Sequence, residues 1–348
     1  MQNYQQIQPF NEFKILSAYE KIKQILQGKL PYPTTAEFYI SNRCNHNCLG
    51  CHSKDFLRLK SPFMEIGLFK NCVEQLSKVG LEGIDFSGGG EPLLHPDFNE
   101  MIEFTNKKGI KSGLITNGIF LKGKSNKRFI ENLSFARIAF DASTGKTYKM
   151  IHGYDDYSVL IKNIKDLIKQ KYRYNSSITI GLKFLISRIN YGQILPAAQF
   201  ARNLGADYIQ FKPIMNTKRF DIQNPLIINK IEESFELARR LSTKEFSVVT
   251  SLEKTKTKTK CVLSPLHPAI DTLGNVYVCN FFHYRKKTHS IGDLNKNSFN
   301  EIWLSKRHKN AIKNIRNREC NLCDCNFKKY MGIINEAIVK NRAHLEFI

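Results

Sequence analysis

The segment Glu37-Phe-Tyr-Ile-Ser41-Asn-Arg-Cys44-Asn-His-Asn-Cys48-Leu-Gly-Cys51 runs from a short apolar stretch, which reads as a strand, into a loop with three cysteines spaced C-x3-C-x2-C. Thiolates are soft ligands suited to iron–sulfur clusters, and a cubane has four irons to ligate. Three thiolates therefore leave one iron open to an outside chelator. The spacing also leaves open a zinc site completed by His46 or His52, since three thiolates and an imidazole make a tetrahedral set.

Outward from this loop a strand-plus-helix unit recurs. Strands are expected at Glu37–Ser41, Gly83–Ser87, Ser112–Thr116, Ala136–Asp141, Ile178–Ile186 and Tyr208–Pro213, each short and apolar. Helical patterns fall between them at about 64–79, 97–107, 127–133, 157–171 and 192–204. Strands alternating with helices imply an α/β fold with a parallel sheet. A closed eight-fold barrel needs about 250 residues. The repeating region, 37 to 214, is shorter, so an open, partial (β/α)6 TIM-like barrel is expected. The domain reading is a helical segment over 1–33, the barrel over 34–215, a helix–strand linker over 216–260, a cysteine-rich unit over 261–327 and a terminal helix over 328–348.

In such sheets the chemistry collects at the carboxyl ends of the strands. The informative residues fall there: Cys44 after strand one, Gly88-Gly89-Gly90-Glu91-Pro92 after strand two, Thr116-Asn117-Gly118 after strand three and Asp141 closing strand four. Glycines permit close backbone approach, and Glu91 can accept from an ammonium. Lys183 alternates with apolar neighbours on strand five, so it points either inward or to the surface. Gly145-Lys146-Thr147 is not a phosphate loop, because Phe140 stands where that motif needs its first glycine.

Fifty-three Lys and Arg against 31 Asp and Glu give a net charge of +22. A nucleic-acid partner would suit that balance, but the lysines are spread along the chain, so a solvated basic surface with a tilt toward anionic small substrates is favoured. At 42% hydrophobic the composition is that of a globular protein, not a disordered one. No apolar run approaches the ~18 residues of a membrane span, and Met1–Phe10 lacks the pattern of a signal peptide, so a cytoplasmic location is expected. There, nine cysteines point to metal or redox chemistry rather than disulfides. Cys72 sits alone in a helical pattern and reads as a small buried residue. Cys261, Cys279, Cys320, Cys323 and Cys325 crowd the last quarter. A hairpin around Leu273-Gly-Asn275 should bring Cys261 and Cys279 together, and Cys320-Asn-Leu-Cys323 adds a close pair. On the residues alone this set is equally a zinc ribbon or a cluster site.

Over 34–215 the chain resembles the radical S-adenosylmethionine (SAM) enzymes, whose signature is the C-x3-C-x2-C loop. The resemblance implies a 4Fe–4S cluster on Cys44, Cys48 and Cys51, with the open iron binding the amino and carboxylate groups of SAM. It gives Gly88, Gly89, Gly90 and Glu91 to the methionine amino group, Thr116 and Asn117 to the strand-three ending of the SAM site, Asp141 to the ribose hydroxyls and Lys183 to the SAM carboxylate. One departure is Gly50, where the family usually has an aromatic residue, so the adenine would be met differently, with help from His52. The C-terminal spacing resembles the shortened "twitch" extension of the SPASM branch, which implies one auxiliary 4Fe–4S cluster on Cys261, Cys279, Cys320 and Cys323. Cys325 is then surplus: an alternative ligand, an idle thiol, or a hydrogen donor to a substrate radical.

The implied chemistry is reductive cleavage of SAM to a 5′-deoxyadenosyl radical that abstracts a substrate hydrogen. Oxidation or epimerisation follows, with electrons from a reductant such as flavodoxin or ferredoxin. About 36 residues before strand one are too few for the peptide-binding domain of many relatives, which favours a small hydroxylated substrate such as a sugar, aminocyclitol or nucleotide-sugar. The alternatives are a peptide-modifying enzyme of the same family and a non-enzymatic, zinc-bearing nucleic-acid-binding protein.

Overall fold

A computed structural model describes residues 12–51, 53–54, 57, 63–214, 222, 224–252, 261–280, 286–315 and 328–336. Its frame is β1 (Thr35–Tyr39), β2 (Gly83–Ser87), β3 (Lys111–Thr116), β4 (Phe135–Ala139), β5 (Thr179–Ile186) and β6 (Tyr208–Pro213), side by side in chain order and all parallel. Between them run α2 (Ile66–Lys78), α3 (Phe98–Lys107), α4 (Lys127–Asn132), α5 (Gly145–His152), α6 (Tyr157–Arg173) and α7 (Ile194–Leu204); α1 (Tyr19–Leu26) precedes the sheet.

Successive strand residues face opposite sides, and the two sides differ in chemistry. Phe38, Ile84, Phe86, Leu114, Ile138, Leu182, Phe184, Ile209 and Phe211 are all buried against the helices. On α2, Phe69, Cys72, Val73 and Leu76 recur at helical spacing and meet this layer. Each such side chain contributes about 1.5–3 kcal/mol by leaving water. Cys72 is fully buried, as its apolar surroundings suggested, and burial pushes its thiol up to about 12. The opposite face carries Glu37, Asp85, Arg137, Lys183, Gln210 and Lys212 in alternate positions.

The parallel sheet extends past the six expected strands. Helix α8 (Pro225–Arg239) leads to β7 (Ser247–Thr250), which pairs parallel with β6, so the strand expected within a linker joins the sheet. At the other edge β8 (Ala269–Ile270) pairs parallel with β1 and antiparallel with β9 (Asn275–Tyr277), which pairs with β10 (Ser290–Asp293). The expected hairpin is therefore present, and it covers an edge that would otherwise expose unpaired backbone groups. Helices α9 (Lys286–His289), α10 (Phe299–Leu304), α11 (Lys306–Asn314) and α12 (Lys328–Ile334) follow. Trp303 on α10 stacks on Phe299 and donates its Nε1 hydrogen to Pro31 O at 2.9 Å, tying the C-terminal region to the segment before β1.

A buried ion pair stitches the β1–β8 joint. His267 Nε2 lies 3.6 Å from Glu37 Oε2, and its Nδ1 is 2.7 Å from Thr35 Oγ1. Burial raises the Glu37 carboxyl, but the hydrogen bond and charge of His267 outweigh it and leave the group below its usual 4.5. Burial depresses His267, yet Glu37 and Asp85 hold it above its usual 6.5. The carboxylate contribution is complete above about 4.5 and is lost as pH falls through its folded value; the imidazolium contribution is complete below about 6.5 and is lost as pH rises through its folded value. Thermal stability should be greatest between those limits, and His267→Gln should flatten the decline on the alkaline side. An unchanged alkaline slope in that variant would remove the pair from the account.

Candidate metal centre

The three cysteines hang on a loop clamped from two sides. On one side Gly90 N donates to Ser41 O at 2.8 Å and Glu91 N donates to Arg43 O at 2.7 Å. A Cβ at Gly90 would lie 2.1 Å from Arg43 O, and one at Gly88 would lie 2.5 Å from Gly90 O, so no side chain fits at either position. On the other side Asn47 N and Leu49 N donate to His152 O and Ile151 O at 3.1 and 2.9 Å, which satisfies carbonyls that the end of α5 leaves open. This helix was not foreseen. It begins at the Gly145-Lys-Thr stretch, with the Thr144 side chain capping Thr147 N, and ends at Gly153 in the left-handed region.

Cys44, Cys48 and Cys51 are half-buried on this loop. Burial pushes the Cys44 thiol up to about 11, helped by the charges of Glu91 and Cys51. Cys48 is driven well above its usual range by burial and by Asp141, Cys44 and Cys51, and Cys51 is raised by burial. Thiols so placed become thiolates only when a cation takes up the charge, which fits a soft-metal cluster. His46 does not complete the zinc set. Its Nε2 is turned to Asp156 at 3.1 Å, and among the described residues the ligand atoms within 4.8 Å of one another are those of His46, Cys48 and His152, with one sulfur among them.

The strand-end residues close around the loop. Asn117 Nδ2 donates to Asn45 Oδ1 at 2.7 Å and lies 4.0 Å from Cys44 Sγ. Glu91, expected to meet an ammonium, has its oxygens engaged inside the fold: Leu93 N, Thr116 Oγ1 and Asn117 N donate to them at 3.0, 2.6 and 2.8 Å. Its carboxylate braces the strand-three ending against the glycine turn. Asp141 has φ +49, a left-handed backbone unusual for a non-glycine residue. Asn190 Nδ2 donates to its carbonyl at 2.8 Å and Leu185 N donates to its Oδ1 at 2.6 Å, fixing that conformation. Burial pushes the Asp141 carboxyl up to about 6, and its Oδ2 lies 3.4 Å from His152 Nε2. The ribose-binding expectation thus falls on a carboxylate whose Oδ1 already accepts from Leu185 N and whose Oδ2 lies beside the His152 ring.

Lys183 is on the charged face of the sheet. The register pairs Ala139 with Lys183 and Leu185 with Lys212, so Arg137, Lys183 and Lys212 share that face on three adjacent strands. Burial, then the charges of Arg137 and Lys212, lower its ammonium to about 8, against the pull of Asp141 and Glu37. Glu37 and Asp85 stand on the same face on β1 and β2, so this face is acidic at those strands and cationic from β4 to β6. The floor is aromatic: a Cβ at Gly113 would strike the Phe135 ring, and one at Gly181 would strike Tyr208.

The missing aromatic side chain before Cys51 also has a reason. A Cβ at Gly50 would lie 2.2 Å from Cδ1 of Ile214, at the end of β6, so Ile214 fills the space that a side chain at 50 would take. Gly50→Ala should cost about 1–3 kcal/mol by overpacking, and Ile214→Ala in the same chain should recover most of it. Additive losses in a double-mutant cycle measured by denaturant melts would contradict the contact.

Among the C-terminal cysteines, Cys261 and Cys279 are buried; burial raises the Tyr39 phenol, and the charges of Glu37 and then Cys279 add to it. Cys320, Cys323 and Cys325, and likewise His52, lie outside the described residues.

A family model described as the radical SAM superfamily matches residues 38–186, and one described as an iron–sulfur cluster-binding SPASM domain matches residues 261–326. A probable GTP 3′,8-cyclase of Methanocaldococcus jannaschii is 30% identical over 215 residues, 60% of this chain and 68% of the relative. The chain belongs to the radical SAM superfamily. A Pyrococcus furiosus relative, a tungsten-containing aldehyde ferredoxin oxidoreductase cofactor-modifying protein, is 24% identical over 318 residues, 84% of this chain and 89% of its own length. Streptococcus suis SuiB bound to SAM has a similar fold, with TM-score 0.66 at 15% identity over 93% of this chain and 79% of that one. Native anSMEcpe with bound SAM gives TM-score 0.61 at 15% identity over 86% and 88%.

The protein is a radical SAM enzyme with a SPASM-type domain, and this sets aside the zinc-bearing nucleic-acid-binding alternative. The two domains imply a SAM-binding 4Fe–4S cluster and an auxiliary cluster. The donors present fit the first, with three thiols on one loop whose charge needs a metal. No helix among the described residues is long and apolar enough to cross a membrane.

Proposed function

We propose that Cys44, Cys48 and Cys51 hold the SAM-binding cluster, and that Cys261, Cys279, Cys320 and Cys323 hold the auxiliary one. The enzyme then oxidises or epimerises a small hydroxylated substrate with an anionic group, a nucleotide-linked sugar before a plain sugar or aminocyclitol. The clamped three-thiol loop at the carboxyl ends of β1 to β4 carries the first part. When bound, the reduced cluster and SAM together supply a 5′-deoxyadenosyl radical, which takes hydrogen from an unactivated C–H bond. The chain does the rest. The glycine turn at Gly88–Gly90 leaves its backbone open to the methionine amino group, while Asn117 flanks the loop and Ile214 offers apolar surface beside Gly50.

Arg137, Lys183 and Lys212 support the anionic substrate, or for Lys183 the SAM carboxylate. Relatives named for acting on GTP, a phosphorylated small molecule, agree with this class. A low-potential flavodoxin or ferredoxin would donate electrons in a reducing cytoplasm. The helix-packed outer face keeps water from the radical. If a thiol such as Cys325 returns a hydrogen atom, the product is an epimer; if the auxiliary cluster accepts the electron, it is an oxidised product.

The test is to incubate reduced, reconstituted protein with SAM and nucleotide-sugars, aminocyclitols or peptides, and measure 5′-deoxyadenosine. Formation that rises with a nucleotide-sugar, and falls on Lys212→Met, supports the reading. Stimulation by peptides alone would replace it with the peptide-modifying alternative. Product formed in deuterated water separates the outcomes, since only epimerisation takes up a solvent-derived hydrogen.

A further inference from the structure

We propose that His152 donates a hydrogen bond to the Cys48 sulfur and thereby raises the reduction potential of the cluster on the three-cysteine loop. The inference rests on the reading that Cys48 is a ligand. His152 is the last residue of α5 and is 2% exposed. Its Nδ1 lies 3.2 Å from Cys48 Sγ. Its ring is packed 4.2 Å from the centroid of Tyr148 and 5.2 Å from that of His46. Asp141 closes the far side, with Oδ2 at 3.4 Å from Nε2. The same residue's carbonyl accepts from Asn47 N, one position before Cys48. Backbone and side chain of one helix terminus thus grip the same stretch of loop, which fixes the donor relative to the sulfur.

His152 Nε2 has no hydrogen-bond partner among the described residues, and Nδ1 faces the Cys48 sulfur, a weak acceptor as a thiol and a stronger one as a ligating thiolate. His46 is placed differently: its Nε2 goes to Asp156, its ring stacks on Tyr154 at 5.9 Å, and it is its backbone N–H that donates to a sulfur, Cys44 Sγ, at 3.4 Å. An N–H directed at a ligand sulfur withdraws charge from it. This favours the more negative, reduced cluster, and hydrogen bonds to sulfurs are a recognised determinant of cluster potential. His152 acts through Cys48 and is a positioning residue.

The experiment is a potential titration of the full-length reconstituted protein under anaerobic conditions, following the paramagnetic component that responds to added SAM. His152→Leu should leave the iron content unchanged and lower the reduced fraction at a fixed poise about tenfold, a shift of ~59 mV for a one-electron couple. His152→Asn places an amide N–H near the Nδ1 position and should restore most of the shift. Equal midpoints for wild type and His152→Leu at equal iron content would overturn the inference while leaving the cluster assignment intact. In wild type alone, imidazole 15N labelling should produce a resolved coupling to the reduced cluster. Its absence would also overturn the inference, and a loop that assembles no cluster would overturn both readings.

Discussion

Cys48→Ser should remove the loop cluster outright. Anaerobically reconstituted wild-type protein should hold about eight irons if two cubanes form, and the variant about four. Serine replaces a soft thiolate by a hard hydroxyl that stays protonated at neutral pH, and the two remaining sulfurs cannot hold a cubane. SAM-derived 5′-deoxyadenosine should fall to background, because electron entry to the sulfonium is lost and no side chain substitutes for it. Cys72→Ala is the control. That thiol is fully buried on α2, away from the loop, so iron content should not change and only a small packing loss should appear in a melt. If Cys48→Ser keeps its full iron complement, the loop does not ligate as assigned.

Gly90→Ala should have the second-largest effect, and through backbone rather than chemistry. The added Cβ would meet Arg43 O at 2.1 Å and Arg43 C at 2.6 Å, neither of which is a flexible side-chain end. Relief requires the glycine turn and the cysteine loop to part. That movement breaks the hydrogen bonds from Gly90 N to Ser41 O and from Glu91 N to Arg43 O, at 2.8 and 2.7 Å. Overpacking and two lost hydrogen bonds together cost about 3–5 kcal/mol. The same movement drags Glu91 from Thr116 and Asn117, so SAM affinity should fall along with stability. Gly67→Ala, with nothing within 4 Å of its Cβ, is the matched control and should be neutral or slightly stabilising. Denaturant melts and SAM binding by calorimetry check both; a Gly90→Ala protein as stable as wild type would contradict the clamp.

The parts of the fold that were legible share one property: their pattern is local. β2 and β6 occupy the residues expected, because each alternates apolar and polar positions between a helix-packed face and a charged lumen. The cysteine loop, the glycine turn, Thr116-Asn117 and Asp141 were legible as a group because parallel strands deliver their carboxyl ends to one side. What was not legible depends on partners distant in sequence. β8 is two residues long and has meaning only against β1, and β7 follows an interruption after residue 214 that hid its membership of the sheet. Helix α5 is eight residues long and begins at Gly145, a residue type that seldom opens a helical pattern. The histidine beside Cys48 lies 104 residues away in the chain, and no spacing rule connects them. An acid beside glycines suggests an ammonium partner for Glu91, and its oxygens also accept from Leu93 N on its own turn and from Thr116 and Asn117 at the distant end of β3. The Ile214 side chain explains Gly50 in the same way: the signal for the absent aromatic residue sits just past the end of β6, distant in sequence.

A cubane tied to the chain by three sulfurs, with its fourth iron reserved for SAM, is open to direct spectroscopic test. Electron–nuclear double resonance on the reduced, full-length protein with SAM labelled by 15N and 17O in its methionine portion addresses it directly. For that cubane, resolved couplings from both labels are expected, lost in Cys48→Ser together with the signal that bears them. A reduced cluster whose spectrum is indifferent to SAM and shows neither coupling would contradict it.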